Sequence, residues 1–160
     1  MNSLEYFRCL GAYQAVRLEG MDMISKVLII DDDEGFLSIL GEYLGSLGFD
    51  CTLAANSAQA RKHLAGVRYA VVLSDLNMPG ESGLDLLRHV SAQYPDTPFI
   101  LMTASCDVRI ERESRKRGAY ACIGKPFRLR ELLDEIKKAT RVAREPFQET
   151  VARPVESCAV

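Results

Sequence analysis

The sequence predicts an α/β fold: a doubly wound, parallel sheet of five strands alternating with five helices. Three observations carry it. The runs Val27–Ile30, Tyr69–Leu73 and Phe99–Met102 are apolar at every position, which suits strands covered on both faces. Between them lie segments with apolar residues three and four apart, the period of a helix packed along one side. The connections are short and punctuated by Gly, Pro, Ser and Asp, so consecutive elements must lie side by side.

Taken in order, residues 1–23 are expected to form an N-terminal extension, with Leu4, Phe7 and Leu10 at the spacing of a short helix. Lys26–Ile30 reads as the first strand and runs straight into Asp31, Asp32, Asp33 and Glu34. Asp33 and Glu34 suit the first turn of the next helix, where the partial positive charge of the helix end favours acids. Asp31 and Asp32 precede that turn and are not needed for capping. Phe36, Leu37, Leu40, Tyr43, Leu44 and Leu47 make the apolar stripe of this helix, and Gly48 stops it. Residues 49–54 read as a second strand, less apolar and therefore nearer the edge. Ser57 is expected to cap a short helix through Leu64, ended by Gly66.

The third strand follows, with Asp75 at its end and Pro79–Gly80 forcing a turn. Leu84, Leu87 and Val90 mark the third helix, and Pro95 and Pro98 bracket the turn after it. Phe99–Met102 is the fourth strand, with Thr103 at its end. The next helix, about 107–117, is crowded with charge. Only Val108 and Ile110 are expected to anchor it, so it should be the least firmly docked helix. Gly118 ends it, and residues 119–123 make a short fifth strand before Gly124, Lys125, Pro126 and Phe127. The last helix carries Leu129, Leu132, Leu133, Ile136 and Ala139 on one face, and Pro146 stops it. Residues 145–160 are expected to be a flexible C-terminal tail, too short for a DNA-binding module. The strand order expected for such a sheet is the flavodoxin-like 2-1-3-4-5.

Composition narrows the function. A chain of 160 residues with 48% hydrophobic and 26% charged residues is sized for one domain. Its net charge of −2 argues against nucleic-acid binding, which favours a basic surface. No apolar run approaches the roughly 20 residues of a membrane span, and no signal peptide is evident. The five cysteines, Cys9, Cys51, Cys106, Cys122 and Cys158, are dispersed and lack a Cys-x-x-Cys pair. Neither a disulfide framework nor a zinc site is expected; small buried or tail thiols in a reducing cytoplasm are. His63 and His89 fall within helices, with nothing nearby in sequence to position them as phosphate carriers.

Sites in a doubly wound sheet form beyond the carboxyl ends of the strands. Asp31 and Asp32 follow the first strand, Asp75 the third, Thr103 the fourth and Lys125 the fifth, so four separate segments deliver polar groups to one sheet edge. Clustered carboxylates repel one another, and a hard divalent cation relieves the repulsion. Magnesium is the expected ion. Asp32 and Asp75 are the expected direct carboxylate ligands, with the Asn77 carbonyl as a third ligand and Asp31 acting through water. Lys125 supplies a positive charge for a phosphoryl oxygen and Thr103 a hydroxyl. Positioning and charge neutralisation are most of what phosphoryl transfer demands, and a carboxylate such as Asp75 can be the covalent acceptor.

Four segments, Val27–Glu34, Ser74–Gly83, Ile100–Ala104 and Gly124–Phe127, occur in the order found in the receiver domain of two-component response regulators, which the chain resembles over about residues 24–142. The resemblance implies a receiver domain over 24–144, here standing alone as a cytoplasmic signalling switch rather than an enzyme. It implies that Asp75 accepts phosphate from a sensor histidine kinase or a histidine phosphotransfer protein, and that the protein assists its own phosphotransfer and dephosphorylation. It places Asp31 and Asp32 at the magnesium site and Thr103 and Lys125 on the phosphoryl group. It implies that the positions held here by Asn77 and Ser105 influence how fast the acyl phosphate hydrolyses. The expected output surface, for a protein partner, comprises helix 107–117, strand 119–123 and the last helix, in a monomer or weak homodimer.

The chain departs from the family pattern in two places. The fifth strand usually presents a tyrosine or phenylalanine that swings inward, and here that place falls to Cys122. Tyr120, two residues earlier, is expected on the same face by strand alternation. The last helix begins at Arg128, where an acidic or hydroxyl cap is common. A second reading is therefore a phosphate-independent interaction module that has lost the aromatic switch. A third, a phosphatase, would need a general acid two residues beyond the nucleophile, where this chain has Asn77.

Overall fold

The computed structural model describes residues 25–142; the N-terminal extension and the C-terminal tail expected from the sequence lie outside them. The strands are β1 (Lys26–Ile30), β2 (Asp50–Ala54), β3 (Val71–Asp75), β4 (Phe99–Thr103) and β5 (Ala121–Gly124). The helices are α1 (Glu34–Ser46), α2 (Ser57–Gly66), α3 (Gly83–Gln93), α4 (Val108–Lys116) and α5 (Leu129–Val142). All strand pairs are parallel, in the order β2-β1-β3-β4-β5. The expected fold class and order hold, with the less apolar β2 at one edge.

Apolarity at every position of the central strands has a direct cause: successive side chains enter opposite cores. Leu28, Ile30, Val72 and Leu101 face one core, completed by Ala60 and Leu64 of α2 and Leu86, Leu87 and Val90 of α3. Val27, Ile29, Leu73, Ile100 and Met102 face the other, closed by Leu37, Leu40 and Leu44 of α1 and Leu132, Ile136 and Ala139 of α5. Helices α2, α3 and α4 thus share one side of the sheet, and α1 and α5 the other.

Several local expectations are corrected. Asn56, not Ser57, caps α2: its side chain accepts the Gln59 N–H at 2.9 Å. Ser57 is the first helical residue, buried, and its hydroxyl donates to the Glu81 carbonyl at 3.1 Å. Leu47 drops out of the α1 stripe and stands at the C-cap. Val108 does not anchor α4 but is 73% exposed. The buried residue of α4 is Ser114, whose hydroxyl returns to the Glu111 carbonyl, while Ile110 packs at the margin of the core. Helix α4 thus buries fewer apolar side chains than the sequence suggested.

Tyr120 and Cys122 fall on opposite sides of the sheet. Cys122 packs with the core under α2, α3 and α4, and Tyr120 with the core under α1 and α5. Strand β5 begins only at Ala121, so Tyr120 lies before regular alternation starts. At the start of α5, the Glu131 carboxylate reaches back to the Arg128 N–H at 3.5 Å, half of a capping box in place of the absent acidic cap.

Candidate functional site

Asp75 is the last residue of β3, a strand buried at all five positions. Its neighbours are fixed by register: β1 ends beside it, so Asp31 follows Ile30 at the same edge, while β4 and β5 bring Thr103 opposite Gly124. Lys125 follows Gly124, and its backbone N–H donates to the Thr103 carbonyl at 2.6 Å. The parallel sheet therefore sets the separation of these groups before any side chain acts.

The side chains close the site. The Lys125 ammonium donates to Asp31 Oδ2 at 2.6 Å and to Asp75 Oδ1 at 2.7 Å. The second oxygen of each carboxylate is held by backbone: Asp33 N–H donates to Asp31 Oδ1 at 3.0 Å, and Asn77 N–H to Asp75 Oδ2 at 2.6 Å. Asp31 and Asp75 are buried, so these charge-assisted bonds form where solvent competes little. Burial alone would lower the Lys125 ammonium, but hydrogen bonds and charge from Asp31 and Asp75 outweigh it and hold it above the usual lysine range.

A further support was not legible in the sequence. The Lys125 ammonium lies 4.5 Å from the centroid of the Phe36 ring, and Phe36 meets Phe127 edge-on at 6.1 Å. A cation over an aromatic face is attracted by the ring quadrupole. The stripe of α1 identified Phe36 as apolar, but nothing in its spacing showed that it sits beside a residue 89 positions later.

The approach of α3 to the acceptor strand is close. A Cβ on Gly83 would run into the backbone carbonyl of Asp75, while the Gly83 N–H donates to the Leu76 carbonyl at 2.9 Å. Only glycine lets the first residue of α3 lie against the strand end in this way.

The expected site residues divide into two groups. Asp31, Asp75 and Lys125 are in direct contact, and Thr103 is buried beside them, its hydroxyl oxygen accepting the Ser105 N–H at 3.2 Å. Asp32 and Asn77 are exposed. Of the two acids after β1, Asp31 is the buried partner of Lys125 and Asp32 stands exposed beside it. Among the described residues, no three His, Cys, Asp or Glu side chains are gathered closely enough to hold a metal ion. The chemistry of the set nevertheless fits a hard cation. Two buried carboxylates share one ammonium, a third carboxylate is adjacent in sequence, and every donor is oxygen.

The expectation of buried thiols fails for the described cysteines: Cys51 and Cys122 are half-buried and Cys106 is exposed. Cys9 and Cys158 lie outside the described residues. His89 packs edge-on against Tyr94 at 6.2 Å. Burial, and then the charge of Arg61, lower its imidazole below the usual range.

The sequence pattern of the family described as Response regulator receiver domain matches residues 27–137. The chain belongs to this family. This receiver is 34% identical over 113 residues to the DNA-binding transcriptional regulator NtrC of Escherichia coli (strain K12), a match covering 71% of this chain and 24% of that protein. It is 33% identical over 116 residues to Sporulation initiation phosphotransferase F of Bacillus subtilis (strain 168), covering 72% of this chain and 94% of that protein. The signal receiver domain of an HD domain-containing protein from Pseudomonas fluorescens Pf-5 superposes with a TM-score of 0.73 at 27% identity, over 78% of this chain and 100% of that one. The receiver thus spans about a quarter of NtrC but nearly the whole of the Bacillus protein. Among the described residues, no helix is long and apolar enough to cross a membrane.

Proposed function

We propose that this receiver is a phosphorylation switch in which Asp75 takes a phosphoryl group from a phosphohistidine on a sensor histidine kinase or a histidine phosphotransfer protein. The observation that carries the reading is the Lys125 ammonium, held 2.7 Å from Asp75 Oδ1 and 2.6 Å from Asp31 Oδ2. Pairing alone would satisfy a buried carboxylate, but here one ammonium is shared by two carboxylates from separate strand ends, an arrangement suited to handing that charge to a phosphoryl oxygen.

In the transfer, an Asp75 carboxylate oxygen attacks phosphorus, the P–N bond of the donor breaks, and its electron pair leaves on the imidazole. An acyl phosphate results, and negative charge that sat on Asp75 now sits on phosphoryl oxygens. Lys125 follows that charge, exchanging a carboxylate oxygen for a phosphoryl oxygen while keeping its bond to Asp31. The Thr103 hydroxyl, buried at the end of β4, turns to another phosphoryl oxygen and carries the Ser105 loop with it. Asp31, Asp32, Asp75 and the Asn77 carbonyl would hold Mg2+, which when bound neutralises charge on the phosphoryl group.

Asn77 favours a held phosphate over turnover. Its side-chain amide cannot give up a proton as a general acid would. A cytoplasmic protein partner would read the change on α4, β5 and α5, where Val108 is 73% exposed on a helix otherwise lined with charge.

The test is intact mass after incubation with magnesium and a small acyl phosphate. The protein should gain one phosphoryl group, and Asp75→Asn should gain none. If neither a small donor nor a phosphohistidine protein adds mass, the switch reading is wrong and the chain is a phosphate-independent interaction module.

A further inference from the structure

Cys106 and Cys122 lie sixteen positions apart in sequence, yet their sulfurs are 2.9 Å apart. The fold brings them together from two elements. Cys122 is in β5, opposite Leu101 of β4, and Cys106 is in the loop that leaves β4 after Thr103. Bonding distance for a disulfide is about 2.05 Å, so the sulfurs need to close by about 0.9 Å. The two thiols differ in access: Cys106 is exposed and Cys122 half-buried.

The surroundings give the pair a mechanical consequence. A Cβ placed on Gly124, the residue before Lys125, would lie 3.3 Å from Cys106 Cβ. On the other side, the Ser105 N–H holds the Thr103 hydroxyl oxygen at 3.2 Å. Cys106 therefore sits on the loop that follows Thr103, beside the Gly124 that precedes Lys125, between the hydroxyl and ammonium arms of the phosphate site.

We propose that Cys106 and Cys122 form a redox-sensitive dithiol that closes to an intramolecular disulfide and pins the loop after β4 to β5, restraining the movement of Thr103. The slowing of phosphate uptake rests on the reading of Asp75 as phosphoacceptor; the cross-link itself does not.

The oxidant is a low-molecular-weight disulfide such as oxidised glutathione. The Cys106 thiol loses its proton to solvent and its sulfur attacks one sulfur of the oxidant. The S–S bond breaks, one small thiolate leaves, and a mixed disulfide remains on Cys106. Cys122 then loses its proton and attacks Cys106 Sγ, expelling the second small thiolate. Two protein thiols become one disulfide, and the oxidant leaves as two thiols. The order follows from access: the exposed Cys106 meets the oxidant first. Burial, with a hydrogen bond and charge from Cys106, pushes the Cys122 thiol up to about 12. Once Cys106 carries the mixed disulfide, Cys122 is the thiol already seated against its sulfur.

The test uses the full chain, oxidised with glutathione disulfide, with remaining thiols alkylated before tryptic digestion without reductant. Arg109, Arg112, Arg115, Lys116 and Arg117 lie between the two cysteines, so the protease separates them unless they are bonded. The expected product is a peptide pair joining Cys106 to Cys122, lost on adding dithiothreitol and absent from Cys106→Ser and Cys122→Ser. Phosphoryl uptake from a small acyl phosphate should be slower in the oxidised protein by at least about fivefold, the low end of coupling between two sites. Cys106→Ser, treated with the same oxidant, should keep the reduced rate. Independent alkylation of both cysteines at saturating oxidant, or a cross-link through Cys51 instead, would overturn the pair. A clean cross-link with an unchanged uptake rate would overturn the restraint on Thr103. If the reduced protein takes up no phosphoryl group, the reading of Asp75 fails while peptide mapping still decides the disulfide.

Discussion

Replacing Lys125 with methionine keeps the aliphatic stem and removes the ammonium that Asp31 and Asp75 share. Those residues are 2% and 7% exposed, so the carboxylates cannot simply be hydrated in place. Removing one partner of a fully buried pair costs about 3–5 kcal/mol. The Lys125 side chain is 24% exposed, and water screens part of the interaction. The expected loss is therefore about 2–3 kcal/mol, which at a urea m-value of about 2 kcal/mol/M lowers the unfolding midpoint by about 1–1.5 M. The measurement is urea unfolding of both proteins in the presence of a chelator. Adding magnesium to the variant should return part of the loss, because the ion restores positive charge to the same oxygens. The pH dependence carries its own sign. A lysine held above its ordinary value stabilises the folded state fully below the unfolded pKa of about 10.4, and that stability is lost as pH rises through the folded value. The gap between wild type and Lys125→Met should thus be constant from about pH 7 to 10 and narrow only at higher pH. A loss below about 0.5 kcal/mol, the worth of an exposed pair, would refute the reasoning, as would a gap that closes near neutrality.

Two further outcomes follow from packing. Gly83→Ala should destabilise by about 2–4 kcal/mol, because the new methyl group meets the Asp75 carbonyl rather than a yielding side chain. Thermal unfolding measures it, and a loss under about 1 kcal/mol would show that α3 can move away from β3 freely. On α4, Val108→Ser should change stability by less than about 0.5 kcal/mol while Ile110→Ala loses about 1–2 kcal/mol, and the reverse ranking would mean that the wrong residue anchors the helix.

The central strands and most helices were legible because the strands carry unbroken apolar runs and the helices one-sided stripes, and both patterns are set by the chain locally. What sequence could not decide was choice between neighbours. Asn56 and Ser57 are both good caps, and only the tertiary bond from Ser57 to the Glu81 carbonyl draws Ser57 inside. Asp31 and Asp32 both follow β1, and burial selects Asp31 for Lys125 through contacts 94 positions away. Val108 and Ile110 both looked like anchors of α4, but they point in different directions around a helix too short to bury both. The contact of Cys106 with Cys122 depends on how the loop after β4 folds back over β5, which no spacing rule encodes.

The aromatic floor beneath Lys125 also makes the site visible to spectroscopy without a label at the site itself. Protons held over an aromatic face resonate upfield, and the shift falls off steeply as they leave it. The Lys125 ε-methylene protons, next to an ammonium 4.5 Å from the Phe36 centroid, are placed to report any withdrawal of that ammonium. The chain has six phenylalanines, few enough that fluorine labelling of all of them gives a spectrum that single substitutions can assign. The Phe36 and Phe127 signals would then record the motion of the charge from opposite sides of one edge-to-face contact.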